Sequence, residues 1–214
     1  MAMTEDRWRF LLHYPSDVFG ETDEQLDTLM ERAVQAGLPP IAINHGAGQL
    51  LKLLTSMTKG KVALEIGTLG GFSGIWIARG LLTDGRLITI EYEERHAEFA
   101  QREFEDAGLA EQVRIVRGAA LDVLPDLAKE LGPASVDLVF IDAVKSEYGE
   151  YFDQVKHLVA TGGLVVADNV YNAGRRWIDE GFGTDEFNRH VAADDSFEST
   201  TIPVGGGLLL ARKR

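Results

Sequence analysis

Hydrophobic and polar positions divide the chain into two parts. Up to about residue 57 the apolar residues recur at helical spacing. Residues 4 to about 36 read as helical, with Thr22 or Asp23 capping a stretch that puts Leu26, Leu29, Met30, Ala33 and Val34 on one face. Gly37 and Pro39-Pro40 stop it. A second helix is predicted over Gly46–Met57, with Leu50, Leu51, Leu53 and Leu54 apolar. From residue 61 the period changes. Short apolar runs, bounded by turn residues, alternate with amphipathic stretches. The strands are predicted at 61–66, 86–90, 113–117, 136–141 and 164–167. The helices between them fall at 72–82, 93–107, 121–131 and 147–159.

Regular βα alternation predicts a parallel sheet covered by helices on both faces. The end of the chain departs from it. After a short helix at 184–191, strands at 197–204 and 207–212 are joined through Pro203–Gly207, too short for a helical crossover, so these two must run antiparallel. The expected architecture is α/β and Rossmann-like: seven strands, mostly parallel, the last one reversed. It forms a single domain with N-terminal helices over 1–58 and a βα core over 61–214.

In such sheets ligands bind outside the carboxyl ends of the strands. Three of those ends carry acids: Glu91, Asp142 and Asp168, the last followed by Asn169. Asp142, Asp168 and Asn169 offer three oxygen donors to one crevice, a set suited to a hard cation such as magnesium. An Asp that ends a strand also serves to cap the next helix. Lys145 follows Asp142 by three residues, near a helix N-terminus, where a cation is poorly placed electrostatically and a solvated surface lysine is the alternative. The first strand runs into Glu65-Ile-Gly67-Thr68-Leu-Gly70-Gly71-Phe-Ser73. This glycine-rich turn lets backbone approach a ligand at a helix N-terminus. It fails the dinucleotide spacing Gly-x-Gly-x-x-Gly at its second glycine, which counts against a nicotinamide dehydrogenase. Glu91 is placed for ribose hydroxyls, or is a surface acid. Gly118-Ala119-Ala120 leaves room for a flat base, or serves close helix packing.

Composition narrows the chemistry. The 214 residues include no cysteine, so disulfides, thiolate metal sites and thiol nucleophiles are excluded. Acids outnumber bases 34 to 21, giving a net charge of −13, which disfavours non-specific nucleic-acid binding. No run reaches a membrane span and the N-terminus has no signal-peptide pattern, so a cytoplasmic protein is expected, with no membrane partner.

Glu65-Ile-Gly67, Gly70-Gly71-Phe-Ser73, Glu91, Gly118-Ala119-Ala120-Leu121, Asp142-x-x-Lys145 and Asp168-Asn169 stand in the order found in S-adenosylmethionine-dependent O-methyltransferases of the catechol and caffeoyl-coenzyme-A type. The chain resembles that family over roughly residues 40–214, including Gly48-Gln49 and the reversed terminal hairpin. The resemblance implies a homodimer and the following roles. Ser73 and the Gly67-Thr68 backbone hold the methionine part of the cofactor, with Ile43 and Glu65 at the same end. Glu91 binds the ribose, Ala119 and Ala120 border the adenine, and Asp142 touches both cofactor and metal. Asp142, Asp168 and Asn169 hold a divalent cation, magnesium first, with calcium or manganese as alternatives. Lys145 is the base.

The implied acceptor is a small aromatic vicinal diol. Hydroxylated uridine in transfer RNA is the alternative, which a basic strip of Lys145, Arg175, Arg176 and Arg189 would favour. The chain departs from the family pattern in places. Val144 stands where catechol enzymes carry a tryptophan, Ala120 replaces a polar residue of some members, and Tyr171–Phe182 has no match. Tyr171 and Trp177 are candidate walls for a flat acceptor, and His45 lies near the cofactor end.

Overall fold

The computed structural model describes residues 7, 9, 10, 14, 17–20, 23–171 and 184–214. The sheet has seven strands: β1 (Val62–Ile66), β2 (Arg86–Glu91), β3 (Val113–Arg117), β4 (Val136–Ile141), β5 (Val159–Ala167), β6 (Phe197–Ile202) and β7 (Leu208–Lys213). Their order is β3-β2-β1-β4-β5-β7-β6. The first five pair in parallel, and β7 lies antiparallel to both β5 and β6. The order reverses between β1 and β4, which places a ligand crevice at their carboxyl ends.

The described helices are α1 (Glu24–Gln35), α2 (His45–Met57), α3 (Phe72–Gly80), α4 (Glu94–Asp106), α5 (Ala120–Leu131), α6 (Tyr148–Val155) and α7 (Thr184–Ala192). Alternation along the strands splits the core in two. Ala63, Leu87, Leu138 and Phe140 pack with α1 to α4, while Leu64, Ile88, Val139 and Ile141 pack with α5 to α7. The helices thus cover both faces, as the period change predicts.

The N-terminal helices are tied to this core by polar contacts as well as by their apolar faces. Asp23 caps α1 by accepting from Leu26 N–H at 3.0 Å, and it also pairs with Arg79 of α3. Arg32 reaches the buried Glu103 of α4 at 2.5 Å, and Gln25 donates to the Glu103 carbonyl at 2.8 Å. Asn44 caps α2 through Ala47 N–H at 2.8 Å.

Two boundaries differ from the sequence expectation by more than about two residues, beyond the ordinary spread of element ends. The predicted helix over 147–159 begins as a 3-10 turn at Lys145–Glu147, continues as α6 and ends at Val155. Strand β5 starts at Val159, five residues before the predicted 164, so the Gly162-Gly163 pair lies inside a strand. The β4–β5 register shifts between Val136 and Leu138, and a side chain at Gly163 would press on the carbonyls of Ala160 and Asp137 at 2.9 and 3.0 Å. A bulged, close approach of backbones explains glycine there. No described helix is long and apolar enough to cross a membrane.

Candidate active site

The strand ends are brought level by backbone hydrogen bonds that continue just past the strands. Gly67 N–H donates to Ile90 O, Gly118 N–H to Glu91 O, Asp142 N–H to Ile66 O and Asp168 N–H to Ile141 O, all between 2.9 and 3.0 Å. A cavity of about 840 Å³ opens above them. Each candidate site residue named from the sequence, from Ile43 and Glu65 to Asn169, is placed at this edge. Most line the cavity directly; Glu65 lies just beneath it, fully buried.

Gly67 has φ +96°, and any Cβ on it would collide with the Asp142 carbonyl. Only glycine lets β1 turn so close to β4. Beyond it, Ser73 donates to Glu65 Oε1 at 2.5 Å and Thr89 donates to Glu65 Oε2 at 2.7 Å. Burial pushes the Glu65 carboxyl up to about 7, against those two hydroxyls, which favour the charged form. Glu91 is engaged by backbone. Its Oε2 accepts from Leu69 N–H at 2.8 Å and Thr68 N–H at 3.2 Å, and its Oε1 from Glu93 N–H at 2.9 Å. That grip holds Leu69 at φ +48°, unusual for a leucine. His96 Nδ1 lies 3.5 Å from Glu91 Oε1. Ala119 and Ala120 contribute no polar side-chain atom to their stretch of wall.

The other half of the edge is held differently. Lys145 donates to Asp142 Oδ1 at 2.7 Å and to the Tyr148 hydroxyl at 2.5 Å. The Asp168 carboxylate accepts from the Asn169 side-chain amide at 2.7 Å. Burial, and then the neighbouring Asp142, push the Asp168 carboxyl upward, with Lys145 opposing. Asn169 sits at φ +58°, a conformation asparagine tolerates better than most residues.

Among the described residues no three His, Cys, Asp or Glu side chains cluster as a metal site. A third protein donor to a cation would have to come from outside that set, and the Asn169 amide stands beside Asp168. The donor chemistry fits: two carboxylates drawn together against their own repulsion, plus Asn169. As placed, Asn169 turns Nδ2 to Asp168 and Oδ1 toward Gly206. A half-turn of the amide exchanges the two atoms and offers an oxygen beside the acids.

Some cavity residues do not stand out in the sequence. Leu29, Met30 and Ala33 of α1 and Pro40–Ala42 form an apolar wall, while His96, Glu147 and Tyr151 add polar groups. The α1 residues are legible in the sequence only as a buried helix face. Tyr148, which does not line the cavity, holds Lys145 from behind. Its three-residue spacing from Lys145 at a helix start is the available signal. His45 faces Asp27 at 3.7 Å and packs edge-on against Phe72 and Trp76. Tyr171 bonds Thr201 at 2.7 Å. Trp177, Arg175 and Arg176 lie outside the described residues. Of the proposed basic strip, Lys145 pairs with Asp142 and Arg189 with Asp185 at 2.9 Å.

This sheet order, a glycine turn at the switch point and an acid on the second strand define a methyltransferase-type nucleotide crevice. The model of the family described as O-methyltransferase matches residues 16–214. The chain belongs to this family, an O-methyltransferase of the S-adenosylmethionine-dependent class. It is 40% identical over 200 residues to a catechol O-methyltransferase of Niastella koreensis, covering 91% of this chain and 90% of the relative. It superposes with a TM-score of 0.85 on TomG of Streptomyces achromogenes, an O-methyltransferase involved in tomaymycin synthesis, solved with SAM. There the identity is 35%, and 99% of each chain is covered. An O-methyltransferase from Bacillus cereus in complex with SAH also gives a TM-score of 0.85, at 31% identity and with 98% and 99% of the two chains covered.

Proposed function

We propose that this chain transfers the methyl group of S-adenosylmethionine to one hydroxyl of a small aromatic vicinal diol, with a divalent cation held by Asp142, Asp168 and Asn169. The observation that carries this reading is the meeting of two acids at adjacent strand ends, both lining the cavity, with Lys145 bonded to the first of them and lining it too. The named activity of the Niastella koreensis relative supports the acceptor class. Magnesium suits the oxygen donors best, with manganese or calcium as alternatives.

The chain's own groups divide the work. The Gly67–Ser73 turn and Glu91 bind the cofactor's methionine and ribose parts, and Ala119 and Ala120 leave space for its adenine. When bound, the cofactor would supply an electrophilic methyl on sulfur, and the cation would acidify a neighbouring hydroxyl. Lys145 would take the proton of the reacting hydroxyl, with the methyl group passing from sulfur to that oxygen. The apolar wall of Met30, Ala33 and Ile41 excludes water and seats the ring. Holding acceptor and donor in line supplies much of the rate, with effective molarities of about 10⁵ M or more.

The reading also takes the N-terminal segment as a contact with a second copy, since Phe10, Tyr14, Val18 and Phe19 are all exposed. Light scattering that gives only a 23.5 kDa particle would remove the dimer from the proposal.

The test is methyl transfer measured by mass spectrometry over a panel of catechols, a caffeoyl thioester and transfer RNA bearing hydroxyuridine. Product is expected from the catechols and is lost with a chelator. Product from the RNA alone, or catechol product untouched by the chelator, overturns the acceptor or the metal respectively.

A further inference from the structure

Tyr148 is fully buried at the start of α6, yet its hydroxyl is part of the lysine's surroundings. Its oxygen accepts from Lys145 Nζ at 2.5 Å and its proton is donated to the Asp168 backbone carbonyl at 3.2 Å. Its ring stands edge-on to Phe187, 5.3 Å between centroids, and tilted against Tyr151 at 6.3 Å. Packing thus fixes the ring, and the bond to Asp168 O fixes which way the hydroxyl points. A phenol whose only proton is committed to a carbonyl can meet Lys145 solely as an acceptor.

At Lys145 one N–H goes to Asp142 Oδ1 at 2.7 Å and another to Tyr148 Oη. These two contacts, one on each side, fix where Nζ stands. Lys145 itself lines the cavity, whereas Tyr148 does not. We infer that Tyr148 is a positioning residue, holding Lys145 Nζ at the cavity edge, toward the acceptor hydroxyl, through the chain Lys145 Nζ–H to Tyr148 Oη–H to Asp168 O. It links the base to the backbone of β5's end, so base and acid pair keep one geometry. The inference rests on Lys145 being the base, as proposed above.

The test is a cycle of Tyr148→Phe, Lys145→Met and the double variant, assayed on a catechol with one substituent para to a hydroxyl. Tyr148→Phe is expected to lower kcat on the order of 10- to 100-fold, as a small misplacement of a reacting group does. KM for S-adenosylmethionine and the calorimetric affinity for S-adenosylhomocysteine should stay unchanged. The ratio of the two methylated regioisomers should shift, because a loosely held base no longer favours one hydroxyl. In the Lys145→Met background, Tyr148→Phe should change the residual rate by no more than about twofold, since the partner it aims is gone.

A full penalty persisting in that background would mean a purely structural role and overturn the inference. So would Tyr148→Phe with wild-type kcat and isomer ratio while Lys145→Met is inactive. Lys145→Met at wild-type activity would instead overturn the base assignment. If Tyr148→Phe does not fold, a crystal structure of the wild-type protein with S-adenosylhomocysteine decides. Nζ within hydrogen-bond reach of Tyr148 Oη supports the inference; separation of the two overturns it.

Discussion

The two halves of the strand edge treat their acids in opposite ways. At the ends of β1 and β2, Glu65 and Glu91 are supplied with donors by the chain itself: two hydroxyls for the first and three backbone N–H groups for the second. At the ends of β4 and β5, Asp142 and Asp168 sit near each other with Lys145 and Asn169 as their close donors. The first half is a finished mould. The second is a set of oxygens with capacity to spare, a condition that an external cation would relieve. Stability and preorganisation are served at one end, and an unmet electrostatic demand is kept at the other.

The largest effect should come from the second half. Lys145→Met is expected to lower turnover about 10²–10⁴-fold, the usual loss for a general base. Binding of S-adenosylhomocysteine, measured by calorimetry, should be retained, because Lys145 belongs to the other half. A parallel loss of cofactor affinity would break the division.

Asp168→Asn should come next. It keeps the size of the side chain but removes one of two charges facing a cation, so magnesium affinity should fall on the order of 100-fold, in the range of losses seen around metal ligands. Calorimetric titration with magnesium reads this directly. Turnover should fall at low magnesium and recover in part at high magnesium. Unchanged metal affinity would remove Asp168 from the cation site.

The division is only partly legible in the sequence. The strand ends stand out because period-2 and period-3.6 patterns alternate cleanly from residue 61, so the pattern alone places Glu91, Asp142 and Asp168-Asn169 at one edge. The start of β5 is not legible, because Gly162-Gly163 carries a turn signal and glycine is required there for backbone approach instead. Tyr148 is hidden for a related reason. A buried tyrosine on an amphipathic helix reads as core, and nothing local reveals that its hydroxyl reaches Asp168, 20 residues away. Met30 and Ala33 likewise read as a packing stripe, which they are, while also walling the cavity. Period locates faces. What a face meets depends on contacts distant in sequence.

A third, smaller effect sharpens the first half. Glu91→Ala should weaken S-adenosylmethionine binding by about 1–3 kcal/mol, the range for hydrogen bonds to a charged group. Part of that loss would arise within the protein, because Thr68 and Leu69 lose the carboxylate that holds their N–H groups. Calorimetry with the metal-free protein isolates this contribution, and unchanged affinity would exclude Glu91 from the ribose site.

The smallest effect concerns Glu65 and depends on pH. Its folded carboxyl is raised to about 7 by burial, against an ordinary value of 4.5. A group raised on folding contributes fully below its unfolded value, and that contribution is lost as pH rises through the folded one. Ionised Glu65 therefore burdens the native state above about pH 7 and does not below about pH 4.5. Glu65→Gln keeps the shape, can still accept from Ser73 or Thr89, and cannot ionise. A shift of this size corresponds to about 3 kcal/mol, and the amide's poorer match to two donating hydroxyls reduces the net gain to about 1 kcal/mol at pH 8. Urea unfolding should show the variant more stable than wild type at pH 8 and no more stable at pH 5. A pH-independent difference would mean that Glu65 does not change charge between those limits, and that the finished half of the edge carries its acid ionised throughout.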